Sequence, residues 1–228
     1  MGPQHRKLNA QRGRNRLRPD PLARGGDAGK STPDGRASPP PGAARVAPVV
    51  SPKVTLRGFR ADDVDAVHRW FNNPEATATL METRDSFTRD DAQGWVERAM
   101  RDSGEDRKWA IEVDGTPQPI GFTALYGLGR QTAPELGAMI GDDARGKGLG
   151  REAERLTVQK AFSEFDSHRV YGRIPAFNEP AKRAVTWLGW QKEGVMRGHI
   201  RRDGALIDCE IWGVTAAEWR DRWATDDS

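Results

Sequence analysis

The feature that most constrains the fold is residues 143–156, DARGKGLGREAERL, where glycines stand at alternate positions directly before a helix-like run. Residues 134–141, PELGAMIG, precede this stretch and have the pattern of a strand. The first N–H groups of a helix lack partners within it, and the helix dipole adds partial positive charge there. Glycines allow a ligand to approach that backbone without meeting a side chain. The sequence therefore predicts a cradle for an anion such as a diphosphate. Its glycines and cations are Gly146, Gly148, Gly150, Arg145 and Lys147.

Two nucleotide-binding motifs are alternatives for the same glycines. Residues 148–153 satisfy the G-x-G-x-x-G/A pattern of dinucleotide-binding folds, and Asp166 lies at a suitable distance for a ribose contact. That fold places the loop after its first strand, whereas several strand-like segments precede it here and a hairpin follows. The dinucleotide hypothesis is therefore the weaker one. A Walker A motif is excluded because no Gly-Lys-Ser/Thr has the required spacing. A glycine turn without a ligand is the remaining alternative.

The aromatic residues divide the chain into two parts. All eight Trp, both Tyr and all seven Phe lie after residue 52. Residues 1–52 are rich in Pro, Gly and Arg, and ten Lys or Arg against three Asp give them a charge of +7. Such a segment cannot bury enough apolar surface to offset chain entropy. We predict a disordered basic tail over 1–52, preferred over a transit segment or a nucleic-acid contact, and one folded domain over 53–228.

Several classes of protein are excluded at this stage. No apolar run approaches the roughly 18 residues that span a membrane, and no secretory leader is evident. The single cysteine, Cys209, rules out an internal disulfide framework and fits a reducing compartment, so we expect a cytoplasmic protein. The four histidines are scattered and give no metal-binding spacing, so no metal is expected.

Hydrophobic periodicity in the domain predicts the order strand, two helices, three strands, helix, strand, helix, two strands, helix. Asp114-Gly115 and Asp203-Gly204 are hairpin signals, and Thr88 and Thr215 each have an acidic residue three positions on, as in a capping box. Hairpins together with one strand–loop–helix–strand unit imply an α+β domain, in which the mixed α/β sheet is partly antiparallel.

These residues resemble the GNAT acetyltransferases, whose acetyl-CoA loop has the pattern [Gln/Arg]-x-x-Gly-x-[Gly/Ala]. Residues 145–150, RGKGLG, match it. Residues 56–80, 134–153 and 178–214 resemble the branch that includes the ribosomal-protein N-terminal acetyltransferases of the RimJ/RimL type. The resemblance covers about 54–223 and implies an N-acetyltransferase that uses acetyl-CoA. It also implies a twisted, mostly antiparallel sheet with flanking helices, splayed between its fourth and fifth strands.

The resemblance further implies where the cofactor is held. The pantetheine arm would pair with the fourth strand inside the splay, like an added strand, and the pyrophosphate would rest on the N–H groups of the glycine loop. Asn178 would contact the arm, cap its own helix, or do both, and Lys182 or Arg183 would reach the nucleotide end. The implied cofactor-binding residues are Ala138, Met139, Ile140, Arg145, Gly146, Lys147, Gly148, Leu149, Gly150, Asn178 and Lys182.

The implied reaction is attack of an amine on a thioester carbonyl, and the amine must first lose a proton. Glu135 is the candidate catalytic base, because related enzymes often carry a glutamate on this strand. It would face the cleft if Leu136 faces the core. The alternative is a structural carboxylate paired with Arg or Lys on a neighbouring strand. A backbone N–H near Met139 or Ile140 would stabilise the negative oxygen of the intermediate.

The chain departs from its relatives at the group that protonates the leaving thiolate. Many relatives have a tyrosine at the position of Val185, and some have a serine at that of Ala181. Tyr171, Tyr126 or a water molecule are the substitutes left open. The missing hydroxyls also keep a second hypothesis, an acetyl-CoA-binding sensor or partner module with little catalysis.

The acceptor is expected to be a primary amine, on a peptide or protein N-terminus or on a small molecule. Residues 74–88 and 197–210 would select it, but their charges oppose one another. The acidic residues are Glu75, Glu82, Asp85, Asp208 and Glu210, and the basic ones are Arg84, Arg197, Arg201 and Arg202. The resemblance alone favours an N-terminus. It leaves the acyl length open and is compatible with a homodimer, and neither a membrane nor a nucleic acid is expected as a partner.

Overall fold

The computed structural model describes residues 53–81, 86–101, 104–130, 132–141 and 144–223. The predicted tail over 1–52 lies outside the described residues. Described strands form one seven-stranded sheet. They are β1 (Val54–Arg57), β2 (Asp106–Val113), β3 (Gly121–Tyr126), β4 (Glu135–Ile140), β5 (Arg169–Pro175), β6 (Gln191–Arg202) and β7 (Ala205–Thr215).

Helices lie between these strands in the predicted order, with two short additions, a 3-10 turn over Ala61–Asp63 before the first helix and a single α-helical turn after it. The single α-helical turn after the first helix is α2. The helices are α1 (Val64–Asn72), α2 (Pro74–Thr77), α3 (Arg89–Met100), α4 (Leu149–Ser163), α5 (Glu179–Leu188) and α6 (Ala216–Trp223).

The sheet has the strand order β1-β2-β3-β4-β5-β7-β6, and every neighbouring pair is antiparallel except β4 and β5. Those two parallel strands share a single residue pair, Glu135 with Tyr171. The Tyr171 N–H donates to the Pro134 carbonyl at 3.2 Å. Beyond this point β4 continues its ladder with β3 alone. The predicted α+β fold and the splay between strands four and five are therefore confirmed.

Each face of the sheet carries its own core. Helices α1 and α3 cover one face, where Phe122 and Met139 pack with the aromatic residues of those helices. Helices α4, α5 and α6 cover the other face, where Leu125 and Val158 belong to a second cluster. Since side chains alternate along a strand, each position of β4 and β5 is assigned to one face or the other.

Local signals set most element boundaries. Thr88 accepts the Asp91 N–H at 3.1 Å, and Asp91 accepts the Thr88 N–H at 2.9 Å, so the predicted capping box is confirmed. Helix α4 begins at Leu149, because Gly148 is a left-handed N-cap with φ of 78°. The hairpin at Asp114-Gly115 forms, but β3 begins only at Gly121. Two prolines in the intervening loop lack the N–H group that an earlier start would need.

Across the described ranges, no helix is both long enough and apolar enough to cross a membrane. No group of three or more His, Cys, Asp or Glu in the same residues is arranged to hold a metal ion.

Candidate active site

The glycine loop leads into α4 with its amides uncapped. Gly146 and Gly148 both have left-handed φ values, 72° and 78°. Because the N-cap is a glycine, no side chain caps the first turn of the helix. At Gly150 an added Cβ would lie 2.9 Å from Cγ1 of Ile140, so this glycine lets the start of α4 lie directly on β4. The loop therefore fits the diphosphate of a nucleotide cofactor.

The two cations of the loop differ in their surroundings. The Arg145 side chain donates to the Ile140 carbonyl at 3.1 Å and to the Glu75 carbonyl at 2.6 Å. Its guanidinium therefore joins β4 to the segment after α1, a role that the sequence did not indicate. Lys147 is exposed, whereas the Leu149 side chain is buried against the β1–β2 edge of the domain. Leu149 offers the loop only its N–H group.

Arg151 is a further cation at the loop that sequence reasoning missed. Its guanidinium lies 4.6 Å from the centroid of the Trp187 ring, and an added Cβ on Gly148 would be 3.3 Å from its Nε. A guanidinium stacked on an aromatic ring is attracted to it, so the Trp187 ring holds Arg151 beside the loop. Its position one residue after the last glycine was the available signal, but the partner on α5 is 36 positions away.

The peptide groups of β4 alternate between its two neighbours. The Gly141 N–H donates to Ile120 of the β2–β3 connection at 2.7 Å, and Pro134 accepts from β5. By that alternation, Ala138 and Ile140 direct their N–H and C=O groups toward β5, while those of Met139 pair with β3. Where β4 and β5 separate, the gap is thus lined by the peptide groups of Ala138 and Ile140, with the Ile140 carbonyl already accepting from Arg145.

Glu135 lies where the two strands are joined. Leu136 packs against the cluster under α4 and α5, so Glu135 faces the opposite side of the sheet. Its side chain is 16% exposed. Arg173 Nε donates to Oε1 at 2.8 Å, and the Tyr171 hydroxyl donates to Oε2 at 3.4 Å. The ion pair expected of a structural carboxylate is present, whereas among the described residues the contact of Oε2 is the long one to Tyr171.

Two tyrosines share this face with Glu135. Tyr126 stands opposite Glu135 in the β3–β4 register, and its ring covers Gly137. Burial, with help from Asp106 and Glu135, raises the pKa of Tyr126 to about 12. Burial and then the Glu135 charge also raise the pKa of Tyr171. Both hydroxyls are therefore protonated near neutral pH and can donate.

The positions at which relatives carry a hydroxyl lie on the other side of the sheet. Val185 is buried in the cluster under α4 and α5, and Ala181 packs against the same cluster. Of the two tyrosines, Tyr171 is on β5, at the edge of the gap. Tyr126 is on β3, so β4 lies between it and the gap. The geometry therefore favours Tyr171 as the substitute over Tyr126.

Asn178, the N-cap of α5, and Lys182 of α5 were predicted to bind the cofactor, and both have partners within the chain. Asn178 Oδ1 accepts the Ala181 N–H at 3.1 Å, as an N-cap does, and its Nδ2 donates to the Thr79 carbonyl at 3.3 Å. Lys182 Nζ donates to the Ala176 carbonyl at 2.8 Å and pairs with Glu179 at 2.5 Å. The capping interpretation of Asn178 is confirmed, and both cofactor contacts remain predictions.

The expected acceptor-selecting segments meet through one arginine. Arg202 of β6 donates to the carbonyls of Ala78 (2.6 Å) and Leu80, and stacks over Phe177 at 4.9 Å. Together with Arg145 and Asn178, it fixes carbonyls of residues 75–80 from three directions. Glu82, Arg84 and Asp85 lie outside the described residues.

A family model for the acetyltransferase (GNAT) domain matches residues 53–191. The chain belongs to the GNAT acetyltransferases, and it is an N-acetyltransferase that uses acetyl-CoA. An uncharacterized N-acetyltransferase, p20 of Bacillus licheniformis, is 25% identical over 173 residues, which are 73% of this chain and 95% of that protein.

Solved structures share the fold at lower identity. Spermidine N-acetyltransferase from Vibrio cholerae, in complex with CoA and spermine, is 18% identical with a TM-score of 0.66, covering 73% of this chain and 97% of that one. RimJ of Mycobacterium smegmatis, in complex with CoA-disulfide, is 18% identical with a TM-score of 0.65, covering 76% of this chain and 88% of that one.

Proposed function

We propose that this enzyme acetylates the α-amino group of a peptide or protein, as in the RimJ/RimL-type branch, with Glu135 as the catalytic base. The observation that carries the proposal is the position of Glu135. It stands at the one residue pair joining β4 and β5, on the face opposite α4, with Tyr171 and Arg173 beside it.

The base step follows from the two oxygens of Glu135. Acetyl-CoA supplies a thioester carbonyl, and the acceptor must reach it as a neutral amine. Arg173 holds Oε1 and fixes the carboxylate in place. Oε2, with its 3.4 Å contact, is the oxygen that takes the proton from the amine, directly or through a water molecule. The ion pair with Arg173 therefore orients the Glu135 carboxylate and is compatible with its role as the base.

The hydroxyl next to Glu135 completes the proton transfer. Tyr171 donates its proton to the departing sulfur and regains one from Glu135, which has just received a proton from the amine. Tyr171 and Glu135 each regain their starting protonation state in this cycle, so no hydroxyl is needed at Val185 or Ala181. The N–H groups of Ala138 and Ile140, directed into the gap, are the donors available to the developing oxyanion.

Asp208 and Glu210, the two carboxylates of residues 197–210 considered for selecting the acceptor, are both engaged within the chain, which supports an acceptor with a single positive charge. Asp208 accepts the Gly198 N–H at 2.8 Å, and Glu210 is bound by Lys192 at 2.7 Å and by Trp212 at 2.9 Å. Burial alone would raise the pKa of Glu210, but these two hydrogen bonds lower it. A polyamine needs several unengaged carboxylates, whereas an α-amino group needs one base.

The experiment compares acceptors and a base variant in one assay of thiol release from acetyl-CoA. Peptides with free N-termini should be acetylated, while N-blocked peptides carrying lysine and the polyamine spermidine should react far more slowly. Glu135→Gln should lower turnover about 100-fold or more without weakening CoA binding. Glu193→Gln is the matched control, because Glu193 is also a strand glutamate paired with an arginine of β5.

Three outcomes would contradict the proposal. Preference for spermidine would make the enzyme a small-amine acetyltransferase. Full activity of Glu135→Gln would leave that residue a structural carboxylate. CoA binding without turnover on any amine would favour the sensor or partner module.

A further inference from the structure

Glu154 is a buried acidic residue on α4 that the proposed chemistry does not use. Its direction follows from its neighbours one turn away on the helix. Gly150 lies against Ile140 of β4, and Val158 packs in the cluster that contains Leu188 of α5. Glu154 lies between Gly150 and Val158 along the same side of α4, so it faces the space between β4 and α5. This is the side on which β4 separates from β5.

The carboxyl group of Glu154 is incompletely paired. The residue as a whole is partly buried, but its Oε2 atom is shielded from solvent and has no hydrogen-bond partner among the described residues. Burial raises the pKa of Glu154 to about 7. Buried polar atoms in folded proteins nearly always have a partner, so this oxygen needs one that the described residues do not supply, such as a water molecule or a ligand group.

The α4 residues on either side of Glu154 on the helix surface do not supply that partner. On one side, Thr157 donates to the Thr123 hydroxyl at 2.7 Å and to the Ala153 carbonyl at 2.8 Å. On the other, Arg151 is exposed and stacks on Trp187. Glu154 thus lies beside the gap that the peptide groups of Ala138 and Ile140 line, roughly one helical turn beyond Gly150 of the anion cradle.

We infer that Glu154 is a cofactor-binding residue whose carboxyl group hydrogen-bonds an amide N–H or hydroxyl of the pantetheine arm in the gap between β4 and β5. The arm carries polar groups along its length, and its site between a diphosphate cradle and the reaction centre places it beside α4. The inference rests on acetyl-CoA lying in this gap, and it is independent of which amine is the acceptor.

The test separates the arm from the nucleotide. Binding of CoA and of 3′-phospho-ADP, which lacks the arm, is measured by calorimetry with the full chain and with Glu154→Leu and Glu154→Gln. Glu154→Leu should weaken CoA binding about 5- to 10-fold, as expected for one lost hydrogen bond, and leave 3′-phospho-ADP binding unchanged. Glu154→Gln keeps a hydrogen-bonding group and should lose less affinity for CoA than Glu154→Leu.

Equal CoA affinity in Glu154→Leu and the unaltered chain would overturn the inference. An equal loss of both ligands would also overturn it, since the effect would then lie at the diphosphate loop or in folding. Thermal unfolding shows whether a folding defect causes such an equal loss. We expect Glu154→Leu to be no less stable than the unaltered chain at pH 8. Binding needs neither an acceptor nor Glu135, so failure of the proposed acceptor or base leaves this test valid.

Discussion

Replacing Glu154 by glutamine is expected to remove a pH dependence from the stability of the unliganded protein. The ordinary pKa of the group is 4.5, and burial raises it to about 7 in the folded chain. Between these values the unfolded chain has lost the proton and the folded chain retains it. Stability therefore falls as pH rises from about 4.5 toward 7, and the loss is complete above that.

The magnitude follows from the two pKa values. Each tenfold change in proton affinity is about 1.4 kcal/mol, so the full difference is at most about 3.5 kcal/mol, and partial exposure of the residue reduces it toward about 1 kcal/mol. Glutamine has nearly the same shape and does not titrate. The free energy of unfolding of Glu154→Gln minus that of the unaltered chain should therefore increase by about 1–3 kcal/mol between pH 5 and pH 8.

Urea unfolding followed by tryptophan fluorescence at several pH values measures this difference. Glu164→Gln, near the exposed end of the same helix, controls for the loss of a glutamate as such. Parallel stability curves for the Glu154 variant and the unaltered chain across this range would refute the reasoning. They would mean that water reaches the carboxyl group, and that Glu154 does not lie in the shielded space described.

Two further predictions concern the loop and the acceptor side. Gly148→Glu should abolish CoA binding measured by calorimetry, because it adds a carboxylate to the anion cradle and a side chain at a φ of 78°. Gly115→Glu, at φ of 82° in an open turn, carries the same backbone strain and should bind normally, so loss in both variants would make strain the cause. Arg202→Gln removes its two hydrogen bonds to carbonyls of residues 75–80 and should raise the KM for the peptide several-fold with CoA affinity unchanged. Arg201→Gln is its control, and equal effects of the two would indicate net charge instead.

The acceptor side shows most clearly what sequence patterns do not contain. Arg145 bonds to the Glu75 carbonyl 70 positions away, and Arg202 to the Ala78 carbonyl 124 positions away. Arginine donors to backbone carbonyls leave no signature in the sequence, since every residue has a carbonyl. Arg145 was therefore predicted only as a charge beside a phosphate.

Glu135 shows a partial success. Strand alternation predicted the face of the sheet that it occupies, and the opposite position of Leu136 bears this out. Its partner Arg173 could not be assigned, because the register between β4 and β5 depends on a single pair across a 15-residue helix and its loops. The catalytic role of Glu135 stays a prediction.

By itself, the sequence determined the local chemistry of this protein: a strand, an uncapped glycine loop and a helix start, with capping boxes and turns that fix the order of the elements. These depend on residues a few positions apart, so spacing is sufficient to find them. Only the tertiary structure decided which side chains meet across the sheet, where β4 leaves β5, and that the Oε2 atom of Glu154 is shielded from solvent. Those properties come from contacts between distant segments and from exclusion of water, which exist only once the whole domain has packed.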